Sequence, residues 1–220
     1  MPLSRTRGII GVVSDRHRLL PDGPPDAQAL AVVEQAAAAA RAGADFFQLR
    51  ERDLPARELA GLARAVVRAV TGSQTRVLVN DRLDIALATG AHGVHLPANG
   101  LSSSDTRVLA RGGFLIGQSI HGADVAGKGA DFAIFGTVFP SFSKPPGHVA
   151  AGVEPLASAV RASRVPVLAI GGITDTTLDG VAPFCDGVAA IGWFATIDAK
   201  QLFESVRRAR RAFDTIARLI

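Results

Sequence analysis

A short turn of glycine, alanine and a polar residue, followed at once by an apolar run, recurs along this chain and restricts the folds open to it. It stands at Gly43-Ala44-Asp45-Phe46, Gly90-Ala91-His92-Gly93 and Gly129-Ala130-Asp131-Phe132, with a looser fourth copy at Cys185-Asp186-Gly187-Val188. The first three supply a glycine that can stop a helix, then a small residue and a polar turn before a strand. This is the punctuation of a repeated strand–helix unit.

The apolar runs fit that reading. Strands are predicted at Ile9 to Val13, Phe46 to Arg50, Val77 to Val79, Val94 to Leu96, Phe114 to Gln118, Phe132 to Phe135, Val167 to Ile170 and Val188 to Ile191. The turn motif thus precedes strands two, four, six and eight. Between strands lie helical segments at Ala27 to Arg41, Leu54 to Val70, Leu83 to Ala88, Ser104 to Ala110, Pro155 to Ala162 and Thr176 to Val181, with Ala199 to Leu219 last. A further short helix is expected near Ala123. Leu59, Leu62, Ala63, Val66 and Val70 form one apolar stripe at helical spacing. Alternation of this kind favours a parallel sheet, and eight units favour a single (β/α)8 barrel spanning residues 1–220 over an open doubly wound sheet. No Gly-x-Gly-x-x-Gly follows the first strand, so the usual dinucleotide fingerprint is missing.

Composition bounds the function. A chain of 220 residues that is 48% hydrophobic and 20% charged has the make-up of a packed globule. No run of about 18 uncharged apolar residues and no signal-peptide pattern are seen, so the expectation is a cytoplasmic protein with no membrane span. The lone Cys185 excludes an intrachain disulfide framework. Much of the net charge of +4 sits in Arg207, Arg208, Arg210, Arg211 and Arg218. Such a run reads as the solvated face of a last helix, not as a nucleic-acid site.

Barrels of this type place their chemistry at the carboxyl ends of the strands. Strand two ends in Gln48-Leu49-Arg50, whose two polar side chains share one face of a strand. Strand three ends in Asn80-Asp81; Asn80 is a site residue or a helix cap, and Asp81 is the best-placed carboxylate for a divalent cation. His95, in an apolar strand, reads as a core residue. Ser119 and His121 close strand five, and His121 is a candidate general acid or base. After strand six, Ser141, Ser143 and Lys144 gather hydroxyls and an ammonium in one segment, either an anion cradle or a surface loop. Gly171-Gly172 after strand seven and Gly192 after strand eight fall where these barrels bind phosphate. Two anion sites across one mouth suit the joining or splitting of two phosphorylated fragments.

The order Gln-Leu-Arg-Glu, Asn-Asp-Arg, Gly-Val-His-Leu, Gly-x-Ser-x-His, Val-Phe-Pro-Ser-x-Ser-Lys and Ala-Ile-Gly-Gly-Ile resembles the thiamine-phosphate synthase and thiazole tautomerase family from the first strand to about Trp193. The synthase branch joins hydroxymethylpyrimidine pyrophosphate to thiazole phosphate with magnesium. The resemblance then implies Gln48 near the pyrimidine, Arg50, Asn80, Ser143 and Lys144 on the pyrophosphate, and Asp81 on Mg2+. It implies Ser119 and Ser141 lining the substrates, with Gly171 and Gly172 on the thiazole phosphate. Three positions depart from the synthase pattern: Pro97-Ala98-Asn99-Gly100 lacks the second carboxylate, Arg52 stands for a lysine, and Gly192 stands for a serine. The tautomerase branch, which needs no metal and uses a histidine matching His121, stays open at this point. So does a non-catalytic paralogue that binds thiazole phosphate.

Overall fold

The computed structural model describes residues 7–110, 112–122, 124, 126–141, 147 and 149–217. Eight parallel strands, β1 (Ile9–Val13), β2 (Phe46–Leu49), β3 (Arg76–Asn80), β4 (Gly93–Leu96), β5 (Leu115–Ile120), β6 (Phe132–Gly136), β7 (Val167–Ile170) and β8 (Gly187–Ala190), pair in sequence order. β8 pairs back onto β1 and closes the barrel, with Ile10 opposite Val188 and Val12 opposite Ala190. Helices α1 (Arg16–Leu19), α2 (Pro25–Ala42), α3 (Ala56–Ala69), α4 (Leu83–Thr89), α5 (Ser103–Leu109), α6 (Val153–Ala162), α7 (Asp175–Val181) and α8 (Ala199–Ala217) surround it. Among the described residues, no helix is long and apolar enough to cross a membrane.

The recurring turn has a definite job at the amino-terminal end of the barrel. The Asp45 carboxylate accepts the Ile10 N–H at 2.8 Å, Asp131 accepts from Ile116 at 2.7 Å, and Asp186 accepts from Val167 at 2.8 Å. His92 does the same with its Nδ1, which accepts the Val77 N–H at 2.9 Å. Each polar turn residue thus reaches back to the preceding odd-numbered strand and satisfies an amide that would otherwise lack a partner. Gly43 and Gly90 end α2 and α4 in the left-handed conformation (φ +81° and +72°), as the motif predicts.

Two apolar layers separate cleanly. Outside, α3 buries Leu59, Leu62, Ala63 and Val66 against the sheet, and α2 lays Ala36 and Ala39 onto it. Inside, Ile9, Val13, Phe46, Leu78, Leu115, Phe132, Ile134, Leu168 and Ala189 fill the barrel. Phe46 and Phe132 meet with ring centroids 5.3 Å apart. They fit because Gly11 and Gly117 face them: a Cβ on either glycine would fall within 2.4 Å of the opposing ring. Full burial of each phenyl ring contributes about 1.5–3 kcal/mol.

Two expectations are corrected. The segment joining β5 to β6 carries no helix among its described residues, and Ala123 itself lies outside them. Only about ten residues connect these strands, and Gly122, Gly127 and Gly129 interrupt them. Arg107 of α5 reaches over instead, donating to the Phe114 and Gly129 carbonyls and pairing with Asp131 at 2.6 Å. The C-terminal arginines are also more than a solvated face. Arg210 donates to the carbonyls of Gly8 and Gly43 and pairs with Asp45, and Arg208 pairs with Asp175 and Asp179. Arg207 lies over the Phe203 ring. Cys185 packs against the core as a small hydrophobe, as its context suggests.

The turn motif yields a direct test. His92→Ala strands the Val77 amide and is expected to cost about 1–3 kcal/mol in urea unfolding, whereas His92→Asp, which copies the other three turns, recovers most of that loss.

Candidate active site

The strand period turns Gln48, Asn80, His95 and Ser119 inward above the phenyl floor, and the loops that follow complete a cavity of about 940 Å³. Its wall includes Gln48, Arg50, Asn80, Asp81, Ser119, His121, Ser141, Gly171, Gly172 and Gly192, which the sequence points to. It also includes Arg18, Arg52, His95 and Asn99. Ser143 and Lys144 lie outside the described residues.

Arg50 owes its freedom to the residue after it. Glu51, only 4% exposed, points away from the cavity and is held between β1 and β2. Ser14 Oγ donates to one of its oxygens at 2.6 Å, while the backbone N–H and Nη1 of Arg16 both reach the other at 3.2 Å. Ser14 Oγ in turn accepts the Arg50 N–H at 2.9 Å, which fixes the backbone from which Arg50 projects. Burial raises the pKa of Glu51 against the opposing pull of the Ser14 and Arg16 donors. Arg16 also clasps Asp53 with both Nη groups at 2.6 Å, and that contact holds the Asp53 carboxyl well below the usual carboxylate range. The nearest carboxylates in sequence are therefore occupied elsewhere. The Arg50 guanidinium makes no hydrogen bond or ion pair with a described residue; burial first, and the Arg52 charge second, lower its pKa.

Asn80 does not cap α4, whose N-cap residue is Arg82. Its Oδ1 instead accepts from Gln48 Nε2 at 3.0 Å, and that bond orients both amides. Gln48 Oε1 is left buried with no hydrogen-bond partner among the described residues, an acceptor that a ligand donor could satisfy. Asp81 adopts φ +64°, a conformation an L-residue rarely takes. Its carboxylate makes no hydrogen bond with a described residue, and Gly100 gives it room, since a Cβ there would lie 3.3 Å from Oδ1.

His95 is not an ordinary core residue. At 3% exposure it lies at the cavity wall, with Nε2 2.9 Å from Ser119 Oγ and Nδ1 without a partner among the described residues. Burial, with the Arg50 charge second, pushes its pKa down to about 3, so the imidazole is neutral. His121 is exposed, and its Nδ1 stands 2.5 Å from the Gly136 carbonyl. A carbonyl only accepts, so Nδ1 carries the proton and Nε2 is the nitrogen left for a ligand.

Across the mouth, Gly171 and Gly172 have φ +96° and +64°. The loop after β6 packs on their Cβ sides: Thr137 blocks one position and Phe139 with Pro140 the other. Both glycines are therefore required by that packing and by their positive φ. Gly192 follows β8, and the atom nearest to its missing Cβ is Arg18 Nη1, at 3.9 Å. Reading the carboxyl end of β1 by the rule applied to the other strands would have found Arg18, along with the unpredicted one-turn α1 that carries it.

Polar side chains gathered over a packed floor, at the carboxyl ends of eight parallel strands, define a (β/α)8-barrel enzyme. Residues 21–194 match the family described as thiamine monophosphate synthase, and the chain belongs to that family. It is 39% identical to the thiamine-phosphate synthase of Chlorobium luteolum, over 81% of this chain and 84% of the relative. It is 40% identical to that of Methanoculleus marisnigri, over 70% and 75%. Among solved structures, the thiamine phosphate pyrophosphorylase of Pyrococcus furiosus superposes with a TM-score of 0.75 at 26% identity, covering 96% of this chain and 98% of the other.

The neutral state of His95 has a pH signature. Its folded pKa lies below the ordinary 6.5, so its contribution to stability is full above pH 6.5 and is lost as the pH falls toward 3. Urea midpoints measured between pH 7 and 4 are expected to fall, and His95→Gln is expected to flatten that slope.

Proposed function

We propose that this chain joins hydroxymethylpyrimidine pyrophosphate to thiazole phosphate, giving thiamine phosphate and pyrophosphate. The observation that carries this reading is the charge of the cavity wall: among its described residues, three guanidiniums face one carboxylate. Such a wall suits two polyanionic substrates held together.

In the reaction, the bond between the pyrimidine methylene and the pyrophosphate oxygen breaks, and its electron pair departs with pyrophosphate. The thiazole ring nitrogen supplies the pair for the new C–N bond, so no oxidant or net proton is needed. Arg50 and Asn80, with Ser143 and Lys144 assigned by resemblance, bind the pyrophosphate and stabilise the charge that develops as it leaves. Gln48 holds the pyrimidine through its free Oε1, which can accept from an amino group on that ring. Ser119, oriented by His95, and Ser141 line the space between the substrates, and the Gly171-Gly172 backbone receives the thiazole phosphate. His121 presents Nε2 at the rim, available for a proton.

The residues fit a magnesium ion. Asp81 offers a carboxylate unoccupied by any described residue, and Asn99 lines the same cavity with a neutral oxygen. No group of three or more His, Cys, Asp or Glu side chains forms a metal cluster among the described residues. One carboxylate completed by phosphate oxygens is a regular magnesium arrangement. When bound, the ion supplies charge neutralisation on the departing pyrophosphate.

The two-substrate assay tests this reading. Thiamine phosphate is expected to form with magnesium and to drop sharply with a chelator. Arg50→Ala is expected to lower kcat/KM by about 10²-fold or more. Absence of product at high enzyme concentration overturns the synthase reading. Interconversion of thiazole carboxylate phosphate isomers, abolished by His121→Ala, would place the chain in the tautomerase branch instead.

A further inference from the structure

We infer that Arg18, on the one-turn helix after β1, is a substrate-binding residue that grips the phosphate of the thiazole fragment from the β8 side of the mouth. The inference rests on the proposed reaction for the identity of its ligand. Its geometry comes from two features of α1 and one of the segment after β8.

The helix is held rigidly. Asp15 caps its amino end by accepting the Arg18 N–H, and Leu19 is buried beneath it. Arg16 is turned toward the loop after β2 and locked onto Glu51 and Asp53, while His17 reaches Asp53 at 3.2 Å. Successive helical residues are about 100° apart, so locking Arg16 on one side sends Arg18 to nearly the opposite side. That side is the cavity, whose wall it joins.

The side chain is also partly preset. Arg18 Nε pairs with Asp15 at 3.3 Å, which leaves its outer edge to another partner. Neither Nη group donates to a described residue. A guanidinium anchored by Nε to a carboxylate, with its Nη donors presented to a cavity, is arranged for an oxyanion.

Position 192 completes the case. Glycine there leaves no side chain after β8, and Arg18 Nη1 is the atom nearest to where one would begin. Arg18 thus places donors and a positive charge at the β8 end of the same cavity that Gly171 and Gly172 line. Arg50, on the loop after β2, serves the pyrophosphate in the proposed reaction, with the Arg52 charge nearby. The two anions are then divided between separate arginines.

The experiment measures thiazole phosphate binding by calorimetry and the KM of each substrate, for the wild-type chain, Arg18→Ala and Arg18→Gln. The glutamine variant keeps the aliphatic stem, and retention of the wild-type melting temperature in either variant confirms that the barrel is intact. Loss of Arg18 is expected to weaken thiazole phosphate binding and raise its KM by about 10-fold or more, the scale of one charge-assisted hydrogen bond. The KM for the pyrimidine pyrophosphate is expected to stay within about twofold. Adding Gly192→Ser to Arg18→Ala is expected to return part of the lost affinity, because a hydroxyl then donates from the vacated side. Unchanged thiazole phosphate affinity, or an equal rise in both KM values, overturns the assignment. Binding needs no turnover, so the two readings separate. A wild-type chain that binds thiazole phosphate through Arg18 but forms no product removes the reaction alone. An active chain indifferent to Arg18 removes the inference alone. A wild-type chain that does neither overturns both.

Discussion

Everything at the mouth of this barrel depends on four hydrogen bonds at its foot. Asp45, His92, Asp131 and Asp186 each take an amide from the neighbouring odd-numbered strand, and so fix how one strand is staggered against the next. Side chains alternate along a strand, so a slip of one residue would exchange the inner and outer sets. Gln48, Asn80, His95 and Ser119 would then turn toward the helices and be buried among apolar side chains. Ion pairs reinforce two of these clips: Arg7 and Arg210 meet Asp45, and Arg107 meets Asp131. Basic residues that look superfluous in the sequence thus help hold the foot of the barrel.

The barrel was legible because its signal is repeated. Eight apolar runs, four related turns and short connections agree with one another, and the strands fall where the pattern puts them. What escaped is local. The one-turn α1 is too short to show a period, and it forms because Asp15 caps it and Arg16 finds Glu51 and Asp53, contacts across more than thirty positions. Among its described residues the segment before β6 forms no helix for the converse reason: a Gly-rich stretch is bridged by Arg107 from the preceding helix.

For the site, position at strand ends was informative and residue type alone was not. Gln48, Arg50, Asn80, Asp81, Ser119, His121, Ser141 and the glycines at 171, 172 and 192 converge on one cavity, as their places in the sequence suggest. His95 reads as core because Val94 and Leu96 flank it, yet the alternation that buries those neighbours outward sends the histidine inward to Ser119. Asn80 could have been a helix cap, and only the approach of Gln48 decides otherwise. The freedom of Arg50 was equally invisible. It follows from Glu51 turning to Ser14 and Arg16, a choice made by the β1–β2 pairing and not by the local sequence.

The phenyl pair packed opposite Gly11 and Gly117 has a consequence for how molecules can lie in this protein. It packs the barrel interior beneath Gln48, Asn80, His95 and Ser119, so the cavity lies above a filled floor. Two fragments admitted together must rest side by side, spread from β2 and β3 on one rim to β7 and β8 on the other. In the proposed reaction, a bond between them then forms across the mouth, above that floor. The floor therefore acts as a ruler: it limits how fragments can lie although neither ring lines the cavity.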